Sequence, residues 1–170
     1  MELKQAKILN TKKNADILIS MLDHAGLKYT VKERTDSRTR IRINFSGNDL
    51  PITLYMILRA DREIVSVYSA MPFTVPEGKR YEAAIAAAAA NHGLIDGSFD
   101  LNTETGEIRF RLTSCFIGTL LTEELFSYLM YVSAETIDRY NDRFADLADG
   151  RCTLEDFIHA DEQDEQAACS

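Results

Sequence analysis

The fold class expected from the sequence is α+β: an antiparallel sheet covered by helices, in the order helix, three or four strands, helix, two strands, long helix. Three observations predict it. Period-two alternation of apolar and polar residues dominates two stretches, 28–70 and 95–113, and these are not interleaved one for one with helices, which argues against a doubly wound parallel sheet. The stretch 122–150 carries apolar residues at steps of three and four, the signature of one long amphipathic helix. With 170 residues, 45% of them apolar, the chain can bury one full core. The expected organisation is therefore a single domain over residues 1–160, followed by a disordered acidic tail, DEQDEQAACS, over 161–170.

Taken in order, residues 11–26 read as the first helix, capped by Thr11 or Asn14 and stopped by Gly26. KYTVKER and RIRINFS follow as a hairpin. In its second strand Ile41, Ile43 and Phe45 share one face, and Arg40, Arg42 and Asn44 the other. PITLYMILRAD is a third strand with Ile52, Leu54, Met56 and Leu58 on one side. Tyr55 and Ile57 on its other side suggest a central strand covered on both faces. EIVSVYSA is a fourth strand. The two prolines of MPFTVP then indicate a loop, with Pro76 at the start of a second helix that runs to Gly93. Seven alanines favour that helix and give it a low-bulk face suited to close packing. Residues 95–101 and 107–113 form a second hairpin, with Arg109 and Arg111 pointing away from Ile108, Phe110 and Leu112, and the Thr105–Gly106 step suits a turn of positive φ. The long helix opens with Thr122 as N-cap and Glu123 and Glu124 in its first turn, and Gly150 ends it.

The formal net charge of −8 argues against general affinity for nucleic acid. Its distribution is uneven: residues 1–47 hold ten Lys/Arg against five Asp/Glu, and the rest nine against twenty-two. The basic hairpin face lacks interleaved aromatic residues, so stacking on bases has no support. No nucleic-acid partner is expected. The first residues contain no signal-peptide core, and no stretch reaches the ~20 apolar residues that span a bilayer. Three cysteines at irregular spacing fit a reduced protein, so a cytoplasmic location and no membrane association are expected.

No residue cluster defines a reaction. His24, His92 and His159 fall on separate elements, with no metal-ligand spacing, and Cys115 sits in an apolar run that suggests a buried structural thiol. Asp138, Arg139, Asp142 and Arg143 read as an exposed helix edge. Phosphate-binding glycine loops are absent. No catalytic, cofactor-binding or metal site is expected. Apolar Met71, Phe73 and Val75 form a candidate protein-contact patch, Arg40 and Arg42 a candidate contact for an acidic partner, and Ala84 and Ala88 a candidate dimer interface.

EIVSVYSAMPFTVPEGKRYEAAIAAAAAN, GSFDLNTETGEIRFRL and LTEELFSYLMYVSAETIDRYNDRFADLADG together resemble the YbjN-type bacterial proteins, over roughly residues 10–150. The family has no assigned enzymatic activity. It is similar in fold to the class I chaperones of type III secretion and commonly forms homodimers. The resemblance implies that architecture, which the residue patterns reach independently. The extra strand before the second helix and the acidic tail depart from the family pattern. The expected function is a non-enzymatic protein-interaction module, chaperone-like or regulatory, binding a protein partner as a homodimer. The alternative is a small-molecule-binding or hydrolytic domain whose site spacing does not reveal.

Overall fold

The structure, a computed structural model, describes residues 2–160; the acidic stretch 161–170 lies outside the described residues. Its elements are α1 (Glu2–His24), β1 (Tyr29–Arg34), β2 (Arg38–Ser46), β3 (Pro51–Arg59), β4 (Ile64–Thr74), α2 (Arg80–Gly93), β5 (Ser98–Leu101), β6 (Glu107–Cys115) and α3 (Glu123–Asp149). A short helical segment follows over 154–160. All neighbouring strands are antiparallel, and the six form one open sheet in the order β1-β2-β3-β4-β6-β5. Four strands precede α2, and the architecture is the type III secretion chaperone-like one.

The three helices lie on one face of the sheet. Alternate residues of the strands supply the core from below: Ile41 and Ile43 of β2, Leu54, Met56 and Leu58 of β3, Val65 and Val67 of β4, Ile108, Phe110 and Leu112 of β6. From above, α3 contributes Phe126, Leu129, Met130, Ile137, Tyr140, Phe144 and Leu147. Its ends match the sequence signals. Leu125 N–H donates to Thr122 Oγ1 at 3.2 Å, and Gly150 adopts the left-handed conformation at φ 72°. Four alanines of α2, Ala83, Ala86, Ala87 and Ala90, are buried, so the low-bulk face lets this helix settle close to its neighbours. Phe99 collects Phe110, Tyr140 and Phe144 within 5.1–5.3 Å between ring centres, all edge-on.

Several elements differ from expectation. The first helix begins at Glu2, and the presumed caps lie within it: Thr11 Oγ1 donates to the Lys7 carbonyl at 2.8 Å and Asn14 Nδ2 to the Asn10 carbonyl at 3.0 Å. Asn14 also accepts from Leu121 N–H at 2.7 Å and donates to the Thr119 carbonyl, tying α1 to the approach to α3. MPFT is not loop but the end of β4, and its proline is accommodated where the register with β6 shifts between Ala70 and Thr74. Cys115 is exposed, because it continues the outward series Glu107, Arg109, Arg111, Thr113 of β6. Asp138 is not a free helix edge: its carboxylate accepts from Asn48 N–H at 2.8 Å and Asn48 Nδ2 at 2.5 Å, fastening α3 to the β2–β3 turn. A side chain at Gly47 in that turn would meet Leu50 O at 2.2 Å and Asp138 Oδ1 at 2.5 Å, so glycine is needed for the approach.

Candidate functional site

With the helices on one face, the opposite face of the sheet carries no covering layer among the described residues. The strand register places its outward residues in cross-strand rows. One row runs Arg42, Tyr55, Tyr68, Arg111; the next runs Arg40, Ile57, Ser66, Thr113; a third runs Arg38, Arg59, Ile64, Cys115. Two tyrosines on adjacent central strands are thus flanked on both sides by arginines. The face is concave and encloses a groove of about 570 Å³ lined by residues of β2, β3, β4 and β6.

The centre of this face is sheltered although no described element is packed on it. Ile57 is 8% and Ser66 2% exposed. Long arginine stems beside them cover apolar surface while their charged ends stay in water. The Arg40 guanidinium lies 4.3 Å from the centre of the Tyr55 ring, and that of Arg109 lies 5.6 Å from the Tyr68 ring. Such stacking contributes about 0.5–1 kcal/mol at exposed sites and holds the guanidinium planes over the sheet. Ser66 Oγ and Thr113 Oγ1 are 3.0 Å apart and bridge β4 to β6 at the groove floor.

Some of the positive charge is matched locally. Asp61 accepts from Arg59 Nη2 at 2.9 Å; this hydrogen bond is the main cause that holds the Asp61 carboxyl below its usual range and raises Arg59. Asp100, reaching across from β5, lies 3.4 Å from Arg109 Nη2 and 3.3 Å from Arg111 Nε. Glu33 stands 3.6 Å from Arg38 Nε. No carboxylate pairs with Arg40 or Arg42 among the described residues. The Nε–H donors of Arg38, Arg40 and Arg42 are shut off from solvent without a hydrogen-bond acceptor among the described residues. Guanidinium groups without a carboxylate, as on Arg40 and Arg42, favour an anionic partner that can supply acceptors.

The two edges of the sheet are less inviting. The Asn91 side chain pairs with the outer edge of β5 as a strand would, accepting from Phe99 N–H at 2.7 Å and donating to Phe99 O at 3.0 Å. At the other edge, β1 carries a bulge between Val31 and Glu33 with the exposed Lys32 inside it. Bulges and edge lysines oppose addition of a further strand.

The residues singled out from sequence separate accordingly. Arg40 and Arg42 lie half-buried on the groove face. Met71 and Val75 are core side chains, 5% and 2% exposed: Met71 lies within β4, and Val75, just past its end, is held by its N–H donating to Gly106 O at 2.8 Å; Phe73 is half-buried. Ala84 and Ala88 turn away from the core on α2, beside the exposed Tyr81 and Ile85. Sequence reasoning missed Tyr55 and Tyr68. Alternation puts Tyr55 on the second face of its strand and predicts that face to be covered, but arginine stems shelter it instead.

Among the described residues no His, Cys and carboxylate side chains converge at the groove. His24 stands 3.2 Å from Glu123 at the helix layer, and His159 lies near Glu155 on the last helical segment. Among the described residues no group of three His, Cys, Asp or Glu side chains is placed to hold a metal ion, and no helix is long and apolar enough to cross a membrane.

Solved structures share this fold at low identity. YbjN from E. coli superposes with a TM-score of 0.53 at 13% identity, covering 73% of this chain and 85% of that one. The ExsC–ExsE complex gives 0.53 at 16% identity, covering 79% and 94%. An uncharacterized protein from Methanothermobacter thermautotrophicus gives 0.55 at 13% identity, covering 81% and 98%. No relative is found among curated proteins. The YbjN family, described as "Putative bacterial sensory transduction regulator", matches residues 14–146, well over half of the sequence, and the chain belongs to this family.

Proposed function

We infer that this protein is a non-enzymatic interaction module, regulatory or chaperone-like, that works as a homodimer and takes an extended acidic segment of a protein partner on the outer face of its sheet. The observation that carries the reading is the pair Arg40 and Arg42, without a carboxylate partner among the described residues, on the same sheet face as Tyr55, Tyr68 and Arg111. Carboxylates along an extended segment offer paired acceptors to guanidinium forks, and the tyrosines offer flat apolar surface between them. The blunted edges favour binding across the face over strand addition. The family's regulatory description and the likeness to a protein solved together with ExsE support a protein as the partner. Outward-facing Ala84 and Ala88 on α2, with Tyr81 88% and Ile85 52% exposed next to them, support that helix as the dimer contact.

Fluorescence anisotropy with a labelled hexaglutamate peptide tests the groove. The wild type should bind it with an affinity that falls as salt is raised, and Arg40→Glu with Arg42→Glu should weaken binding at least ten-fold, since two rows lose their free cation. Unchanged affinity in the double variant would place the acidic contact elsewhere.

A further inference from the structure

We propose that the partner segment lies along β2 and is selected for acidic residues at alternate positions, i and i+2, which Arg40 and Arg42 read. This pattern rests on the reading of the groove as a site for acidic segments and adds what the site recognises in them.

On the strands that line the groove, the cations without a carboxylate form one short track. The outward residues of β2 are Arg38, Arg40, Arg42 and Asn44. Both ends of that series are engaged: Glu33 stands 3.6 Å from Arg38 Nε, and Asn44 Oδ1 accepts from Thr53 Oγ1 at 3.1 Å. Glu33 is the register partner of Arg40, yet its carboxylate turns to Arg38. Between these ends, Arg40 and Arg42 have no carboxylate among the described residues. Elsewhere on the strands the charge is matched, Arg59 by Asp61 and both Arg109 and Arg111 by Asp100. Arg62, which also lines the groove, stands in the β3–β4 turn and not on a strand. A segment laid across the strands, over the row Arg42, Tyr55, Tyr68, Arg111, meets one unmatched cation. A segment laid along β2 meets two.

The strand repeat fixes what those two can read. Arg40 and Arg42 leave the same face of β2 two residues apart, a separation of about 6.7 Å. Their stems are held by packing: both Nε atoms are shut off from solvent, and the Arg40 guanidinium is stacked 4.3 Å from the centre of the Tyr55 ring. An extended segment has the same repeat and sends successive side chains to opposite sides. Carboxylates at i and i+2 therefore arrive on the sheet side together, one for each guanidinium fork. With acids at i and i+1 the second points away from the sheet. With acids at i and i+3 it again points away, and about 10 Å further along. Tyr55 and Ile57 of β3, opposite Arg42 and Arg40 in the register, border the track with uncharged surface.

The test uses two labelled peptides of equal length, composition and charge. One alternates glutamate with serine; the other repeats Glu-Glu-Ser-Ser, in which no two glutamates stand at i and i+2. In anisotropy titrations at low salt, the full-length wild type should bind the alternating peptide at least about five-fold more tightly than its isomer. Arg40→Gln and Arg42→Gln each leave one reader, and either should bring the two peptides to within about two-fold of each other. Arg111→Gln, at an exposed position, should keep the preference. Equal affinity of the wild type for the two isomers, a comparison that needs no variant to fold, would overturn the proposal and leave standing the acidic-segment reading, which asks only for charge. A preference that survives both Arg40→Gln and Arg42→Gln, or falls as far with Arg111→Gln, would overturn it by placing the segment across the sheet. Binding of neither isomer, nor of hexaglutamate, would overturn the acidic-segment reading and the pattern with it.

Discussion

At the scale of single residues, the polar groups inside the fold have unequal roles. Glu63 sits in the β3–β4 turn at φ 51°, a left-handed conformation costly for a residue with a side chain, and it is 5% exposed. Its carboxylate accepts from Asn10 Nδ2 and Gly118 N–H, both at 3.2 Å, and lies 3.5 Å from Lys7 Nζ, while its carbonyl accepts from Phe116 N–H. One carboxylate thus clips α1 to the loop before α3. The Gly118 bond is the chief cause that lowers its pKa below the ordinary 4.5, against the opposing effect of burial. A depressed carboxyl contributes stability above its ordinary value that is lost as the pH falls through its folded value. Glu63→Gln should therefore lower stability by about 2 kcal/mol at pH 7, and the gap to wild type should close in thermal melts taken progressively below pH 4.5. A gap independent of pH would refute the clip. Asn141 is the opposite case. It is 1% exposed within α3, and among the described residues neither its amide oxygen nor its nitrogen has a hydrogen-bond partner. A buried amide left unsatisfied costs about 1–3 kcal/mol, so Asn141→Leu, similar in volume, should raise the urea midpoint. A lower midpoint would mean that the amide is satisfied by a buried water.

Among the elements, those legible in sequence carried complete local signals. The long helix had its cap, apolar stripe and stop in one stretch, and Thr122→Ala should cost about 1 kcal/mol of unfolding free energy in urea titrations, through the lost Leu125 N–H bond alone. A loss near zero would show the cap to be replaced by water. Both hairpins were legible because half-buried strands must alternate. The first helix was read short because Thr11 and Asn14 look like caps, and only the loop they face reveals that Asn14 works from inside the helix. The end of β4 was read as a loop because proline is a strand breaker in isolation. A register shift against β6, a strand more than thirty residues away, makes room for it, and that pairing is not a local property.

For the whole molecule, the same limit decided how much of the site was visible. Each arginine's face followed from alternation, but the row Arg42, Tyr55, Tyr68, Arg111 exists only because β4 pairs with β6 across α2 and β5. The resulting division of labour separates two surfaces. Helices close the core on one side, the arginine groove opens on the other, and the outward stripe of α2 with Tyr81, Ile85 and Ala88 belongs to the helix layer. A dimer joined through α2 would leave both grooves free, so association and acidic-segment binding should be separable. On the proposed α2 dimer, Ala88→Arg places a charge where the second copy's backbone would come close, and desolvating it there should shift the protein to monomer in light scattering at micromolar concentration. Its affinity for labelled hexaglutamate should stay within two-fold of wild type, because the substitution lies on the opposite side of the sheet from Arg40 and Arg42. A variant that remains dimeric would move the interface off α2. A monomer that also loses the peptide would mean that the groove is completed by the second copy.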